Sequence, residues 1–142
     1  MPIHEYEPRP PSYRELLAAY ARTRATWEQT ASVHGLSLLQ TGMEILYREL
    51  AKPGRFELGT LLLTPGGAEA LLASQQVPPE FFLPHKHGDW DELCAEDRRE
   101  NERALLHGGR LFSAYRTRAE AKVWVITEWD RSATTLLLPE EY

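Results

Sequence analysis

The chain has 142 residues, of which 42% are hydrophobic and 26% charged, and its formal net charge is −5. This length predicts a domain that can bury enough surface to fold without disulfides, and the single cysteine, Cys94, excludes an internal disulfide and a cysteine-built zinc site. The negative charge argues against nonspecific nucleic-acid binding, which depends on clustered positive charge, and no apolar run approaches the roughly 20 residues of a membrane span.

The first third of the chain is predicted to be an extended arm followed by a helical hairpin. Residues 1–11 are rich in proline and lack the basic and apolar regions of a signal peptide, which favours a cytoplasmic protein. Ser12 and Glu15 then form an S-x-x-E capping box, and apolar residues recur at helical spacing. Pro53-Gly54 stops the second helix, so the hairpin is predicted to span residues 12–52.

Residues 53–142 are predicted to form an α+β domain that carries the whole net charge of the chain. Short helices are expected after Thr64-Pro65, after Pro78-Pro79 and from Ala95 to His107. Proline and glycine separate these segments from their neighbours.

A small antiparallel sheet is expected in the same domain. Its strands are rich in aromatic and β-branched residues, and they lie at 111–116, 121–128 and 133–138. Four-residue connections join them, which predicts a three-stranded meander, and the segment at 56–63 is a candidate fourth strand. Because Val123, Val125 and Thr127 share one face, we expect short helices to cover that face.

Three segments of this domain resemble a group of short proteins encoded on bacterial plasmids and mobile elements. They are HKHGDW (85–90), ENERALLHGGRLFSAYR (100–116) and VWVITEWDRSATTLLLPEEY (123–142), and the similarity covers about residues 56–142. Those proteins are labelled "plasmid-related protein" or "type I restriction endonuclease subunit M". The second label does not suit this chain, which lacks the glycine-rich nucleotide-binding turn and the N-P-P-Y type of catalytic loop that a DNA methyltransferase needs. The resemblance implies a mobile-element setting and not an activity.

The first candidate site is the segment His85-Lys86-His87-Gly88-Asp89-Trp90-Asp91. On an extended chain His85, His87 and Asp89 project to the same side, and two imidazoles with one carboxylate can hold a divalent metal while leaving positions open for water. No other cofactor is expected. The alternative is a solvated loop that Trp90 anchors to the core and Gly88 allows to turn tightly.

The second candidate site is the turn formed by residues 128–132. Glu128, Asp130 and Arg131 lie there beside hydroxyl side chains, and such a set can bind phosphate or carry out acid–base chemistry. The alternative is a strand-to-strand turn in which Asp130 bonds its own backbone and Arg131 pairs with Asp130, Glu128 or Glu140.

The sequence contains no strong catalytic motif but has four Trp and six Tyr, residue types that are enriched at binding hot spots. It therefore favours a non-catalytic intracellular interaction protein that acts through a protein partner or by self-association, and the resemblance extends this role to host–plasmid or phage conflict. The alternative is a small nuclease-like hydrolase with His85, Asp89, Glu128, Asp130 and Arg131 as catalytic candidates, which requires 85–91 and 128–132 to share a cleft. A second alternative is a DNA-binding regulator that uses the N-terminal helices.

Overall fold

The computed structural model describes residues 43–90 and 92–142. The predicted arm at 1–11, residues 12–42 of the predicted hairpin, and Asp91 therefore lie outside the described residues. By its internal contacts the chain divides into two compact units, Met1–Ile45 and Leu46–Tyr142, and the second unit contains every contact described below. Within the described ranges, no helix is long and apolar enough to cross a membrane.

The described residues contain four helices and a 3-10 turn. Residues 43–51 are helical (α1), and three further helices and a 3-10 turn follow: α2 at Pro65–Ser74, α3 at Pro79–Lys86, α4 at Ala95–His107, and the turn at Pro139–Glu141. Thr64 caps α2, because its hydroxyl oxygen accepts a hydrogen bond from the backbone N–H of Gly67 at 3.0 Å. The helix predicted after Thr64-Pro65 and the helix from Ala95 to His107 are confirmed.

The prediction that His85 lies on an extended chain with His87 and Asp89 is wrong. Helix α3 continues through Pro84 to Lys86, so His85 is helical. Proline inside a helix costs stability because it removes a hydrogen bond and its ring crowds the preceding turn. Phe82 and Leu83, which are both fully buried, hold this helix against the core despite that cost. The chain leaves the helix at His87 and turns at Gly88, whose φ is +78°.

Four strands form one mixed sheet in the order β1-β4-β3-β2. The strands are β1 at Thr60–Leu63, β2 at Leu111–Arg116, β3 at Lys122–Thr127 and β4 at Ala133–Leu137. The predicted meander is confirmed, because β2 with β3 and β3 with β4 are antiparallel neighbours. The fully antiparallel sheet was a wrong prediction, since β1 pairs with β4 in parallel. A short turn forces neighbouring strands to be antiparallel, whereas the long helical connection after β1 imposes no such limit.

The two faces of the sheet have different surroundings. The inner face carries Val123, Val125 and Leu136, all fully buried beneath the helices, which confirms the predicted covering of the valine face. The outer face carries Phe112, Trp124 and other residues in the alternate positions of β2 and β3. Both Phe112 and Trp124 remain partly exposed. The chain therefore buries one face under helices and leaves aromatic side chains on the other.

The two edges of the sheet also differ. Helix α4 closes the β2 edge, because the Asn101 amide donates to the Phe112 carbonyl at 2.6 Å and accepts from the Phe112 N–H at 3.0 Å. Asn101 thereby satisfies backbone groups that a further strand would otherwise bond. Strand β1 is the opposite edge among the described residues, and its side chains are exposed along its whole length.

Candidate functional site

His85 lies at the centre of a buried chain of hydrogen bonds on the inner face, which we call the hydroxyl–imidazole network. Its Nδ1 is 2.5 Å from Ser113 Oγ on β2, and its Nε2 is 2.8 Å from Thr127 Oγ1 on β3. Thr127 Oγ1 is in turn 2.8 Å from Thr134 Oγ1 on β4, which donates to the Leu58 carbonyl at 2.6 Å. His85, Ser113, Thr127 and Thr134 have no exposed surface. The network thus joins α3 to three neighbouring strands.

The carbonyl at the end of this network fixes the direction of every hydrogen bond in it. The Leu58 carbonyl can only accept, so Thr134 donates to it and its oxygen accepts from the Thr127 hydroxyl. Thr127 has then used its proton and must accept from Nε2–H of His85. Nδ1 of His85 consequently accepts from the Ser113 hydroxyl. The network therefore selects the neutral tautomer of His85 with the proton on Nε2.

The surroundings of His85 favour that neutral form strongly. Burial, with a smaller effect of the positive charge of Arg131, lowers the pKa of His85 from 6.5 to about 3. The rings of Phe56 and Trp90 meet the imidazole edge-on, with centroids 5.2 Å and 5.7 Å away. A charged imidazole would need two acceptors, and the Ser113 hydroxyl would then need a new acceptor of its own.

This geometry does not assemble the predicted metal set of His85, His87 and Asp89. Both nitrogens of His85 already bond hydroxyl groups, so neither is available to a metal. His87 lies beyond the end of α3 and is partly exposed, while the backbone N–H of Asp89 bonds the Pro84 carbonyl at 2.8 Å. Within residues 43–90 and 92–142, no three His, Cys, Asp or Glu side chains are grouped as a metal site would require.

The turn at 128–132 agrees in part with the alternative of a strand-to-strand turn held by its own hydrogen bonds. Asp130 accepts a hydrogen bond from the backbone N–H of Ser132 at 3.0 Å, and hydrogen bonds from Ser132 lower the pKa of Asp130. The predicted pairing of Arg131 with a carboxylate is wrong, because its guanidinium bonds carbonyl groups. These are the carbonyls of Ala104 at 3.0 Å, Gly109 at 2.5 Å, Glu128 at 3.1 Å and Trp129 at 3.1 Å. Arg131 thereby places a cation at the carbonyl end of α4, where the helix dipole favours it.

The two predicted segments approach each other through Phe56, but His85 and Arg131 are both engaged by other groups. His85 contacts the Phe56 ring, and the guanidinium carbon of Arg131 lies 6.0 Å from the centroid of the same ring. His85 faces the buried network, and Arg131 is occupied by backbone carbonyls. Ser113 is at the distance that a nucleophile and its base require, but it is fully buried, so no substrate reaches it in this structure.

The outer face holds an open pocket of about 380 Å³, which we call the aromatic pocket. Its lining residues are Asp97, Arg110, Phe112, Trp124, Ile126 and Tyr142. The rings of Phe112 and Trp124 meet at 84° with centroids 5.0 Å apart, and those of Trp124 and Tyr142 meet at 67° and 5.8 Å. Pockets of this size with aromatic walls and few polar groups are typical of ligand and side-chain binding sites.

One wall of the aromatic pocket is held in place by Arg110. Its guanidinium donates to the Tyr142 hydroxyl at 2.5 Å, lies 5.5 Å from the centroid of that ring, and is 3.6 Å from the Glu128 carboxylate. The hydrogen bond to Tyr142 and the charge of Glu128 raise the pKa of Arg110 above its usual value. Of the predicted catalytic residues, Glu128 is therefore the one that the structure brings to the rim of this pocket.

The aromatic pocket also contains a buried donor that lacks an acceptor. The indole Nε1 of Trp124 is buried and has no hydrogen-bond partner within the part of the chain that the structure describes. Buried polar groups without a partner are rare in folded proteins. Phe112, Tyr142, Arg110 and Asp97 were not among the predicted site residues. The alternation of Trp124 and Ile126 along one side of β3 was the signal that pointed to this face.

The comparisons with known proteins add no family or function to this geometry. No model of a protein family, no curated protein and no solved structure matches the chain.

Proposed function

We propose that this chain is a non-catalytic interaction protein of the cytoplasm, and that a protein partner binds it at the aromatic pocket. The observation that carries the proposal is the combination of Phe112, Trp124 and Tyr142 around an opening of about 380 Å³ on the outer face of the sheet. Aromatic residues and arginine are the types that contribute most to binding energy at protein interfaces. The proposal requires no metal or other cofactor.

The surface next to the pocket favours a protein over a small molecule. Glu128 lies at the pocket rim, and the next residue, Trp129, has a side chain that is 69% exposed. A large aromatic side chain exposed to this extent beyond the pocket offers contact area that a small ligand would not use. Monomeric proteins rarely expose extended apolar patches that serve no interaction.

The hydrolase alternative finds less support in the geometry of its candidate residues. His85 is enclosed in the hydroxyl–imidazole network, and Arg131 bonds the carbonyls at the end of α4. The regulator alternative depends on the N-terminal helices, which lie mostly outside the described residues. The resemblance to mobile-element proteins makes a host defence complex a reasonable class of partner.

The proposal is tested by comparing the wild-type protein with Tyr142→Ala and Leu72→Ala. Tyr142 is 68% exposed and forms a pocket wall, whereas Leu72 is 80% exposed on α2 and lies outside the pocket lining. Tagged proteins are expressed in the cells that carry the gene, captured partners are quantified by mass spectrometry, and each reproducible partner is purified for calorimetry. Sedimentation of the purified chain measures self-association in the same variants.

We expect Tyr142→Ala to weaken the partner complex, or the self-association, by about tenfold or more, since a hot-spot residue contributes more than about 1.4 kcal/mol. Leu72→Ala should bind as the wild type does. If every partner, and any self-association, survives Tyr142→Ala unchanged, the aromatic pocket is not the interaction site and the proposal is wrong.

A further inference from the structure

The charges around the aromatic pocket do not balance, and the residual charge is negative. Among the described residues, Arg110 is the only cation of its lining, and it is already paired with Glu128 and bonded to the Tyr142 hydroxyl. Asp97, in the first turn of α4, is an exposed carboxylate with no hydrogen bond or ion pair among the described residues. The unpaired charge that faces an incoming group is therefore that of Asp97.

The aromatic walls, like the carboxylate of Asp97, favour a positively charged ligand. The face of an aromatic ring is electronegative and attracts a cation within about 6 Å of its centroid. The guanidinium of Arg110 already lies 5.5 Å from the Tyr142 centroid, so this ring binds a cation within the protein itself. The nearly perpendicular rings of Phe112 and Trp124 add a second aromatic surface beside it.

We infer that the group which enters the aromatic pocket is a cationic side chain, an arginine or lysine, carried by a basic segment of the partner. This inference rests on the function proposed above and names the chemistry of the partner. The cation lies against the rings of Phe112 and Trp124 and pairs with Asp97, while Arg110 stays with Glu128 and Tyr142. The net charge of −5 adds long-range attraction for a basic partner.

The test uses three short peptides that differ in one residue, Ac-Gly-Gly-X-Gly-Gly-NH₂ with X as Arg, Phe or Glu. Each is titrated into the ¹⁵N-labelled full chain, and the indole N–H signal of Trp124, assigned with Trp124→Phe, reports binding in the pocket. The matched variants are Asp97→Asn and Glu96→Gln. Glu96 is the exposed carboxylate next to Asp97 on α4 and lies outside the pocket lining.

We expect the arginine peptide to shift the Trp124 signal, and its affinity to fall about fivefold in Asp97→Asn but not in Glu96→Gln. Added salt should weaken its binding, since the ion pair is exposed to screening. Binding of the phenylalanine peptide in preference to the arginine peptide overturns the inference and leaves the proposed function standing. Preference for the glutamate peptide, or equal affinity of Asp97→Asn and wild type, also overturns it.

An absence of any shift with all three peptides overturns the inference as well. The proposed function is then judged separately, by the affinity of the purified partner for Tyr142→Ala. Because Asp97 is exposed, Asp97→Asn should fold as the wild type does, and the amide spectrum of the labelled protein checks this directly.

Discussion

Each face of the sheet contains residues of a type that is more common on the other: polar groups in the buried face and aromatic rings on the exposed one. The inner face buries His85, Ser113 and Thr127 without any exposed surface, and every one of their polar side-chain atoms has a partner. The outer face leaves Phe112 and Trp124 partly exposed around an opening. A fold is usually stabilised most when apolar residues are buried and polar residues are exposed. The buried polar network and the exposed aromatic rings both depart from this rule, so each needs its own explanation.

The comparison teaches that residue types common in catalytic sites can serve the packing of a core instead. The inner face has the residue types of a catalytic site, but its hydrogen bonds are directed and closed, which is how a buried polar network specifies a unique core. The outer face has the open volume, aromatic walls and unpaired carboxylate that binding requires. Accessibility distinguishes the two better than residue type does.

The largest expected effect is on the inner face, in His85→Ala. This change leaves a cavity and deprives the Ser113 and Thr127 hydroxyls of their partner, so we expect a loss of about 4 kcal/mol in the free energy of unfolding. Urea unfolding followed by circular dichroism measures it. The control is His107→Ala, at the exposed end of α4, which should change stability by no more than about 0.5 kcal/mol. A loss below about 1 kcal/mol for His85→Ala would contradict the structural role.

The next effect concerns Arg131, which connects the inner core to the carbonyl end of α4. Arg131→Gln removes hydrogen bonds from a charged donor to four carbonyl groups, and we expect it to lower the free energy of unfolding by about 2 kcal/mol. The matched control is Arg116→Gln, which loses only an exposed ion pair to Glu92 and should cost at most about 1 kcal/mol. Equal losses in the two variants would show that the backbone contacts of Arg131 contribute little.

The pH dependence of stability is a further test of the inner face. The pKa of His85 is about 3 in the folded chain and 6.5 as a free group, so between these values the unfolded chain binds a proton that the folded chain does not. Stability therefore rises with pH in this window, and we expect the free energy of unfolding to fall by about 2 kcal/mol between pH 7 and pH 5.

The imidazole resonances of His85 provide the direct measurement. In the folded protein they should stay those of the Nε2–H tautomer from pH 7 down to pH 5, because both ring nitrogens are engaged. Burial also lowers the pKa of His87, so His87 changes the stability with pH in the same direction as His85. The variant His87→Gln is therefore the control, and it should retain most of the pH dependence. Protonation of His85 near its free-group pKa would show that the network is open to water.

The smallest expected effect on stability is on the outer face, in Tyr142→Ala. Tyr142 is 68% exposed and contacts Arg110 and Trp124 at the pocket wall. We expect the free energy of unfolding to change by less than about 1 kcal/mol, although the proposed partner binding should weaken by about tenfold or more. A loss as large as that of His85→Ala would mean that this wall is part of the core, and the contrast between the faces would then fail.

Local patterns in the sequence predicted most of the elements. Thr64-Pro65 marked the start of α2, and the four-residue connection at 129–132 predicted the antiparallel pairing of β3 with β4. These signals are short-range, because a cap, a turn or a two-residue alternation depends on neighbouring residues alone. The same patterns misjudged His85, since the packing of Phe82 and Leu83 carries α3 through a proline that would end an isolated helix.

The candidate site could be predicted only in fragments. The sequence singled out His85 and Arg131 as residues with chemistry, and the structure gives both of them defined partners. No pattern in the sequence indicates that Ser113, Thr127 and Thr134 bond His85 or one another. These residues are distant in sequence and meet only when α3 packs on the sheet. The aromatic pocket was hidden for the same reason, since Asp97, Phe112 and Tyr142 come from three separate elements.

By itself the sequence determined the α+β class, the meander and the faces of its strands, since these follow from composition, turn length and a period of two. Only the tertiary structure decided the parallel pairing of β1 with β4, the tautomer of His85 and the carbonyl partners of Arg131. Each of those depends on which distant groups become neighbours after burial. Desolvation then fixes protonation and hydrogen bonding, and no local pattern encodes that step.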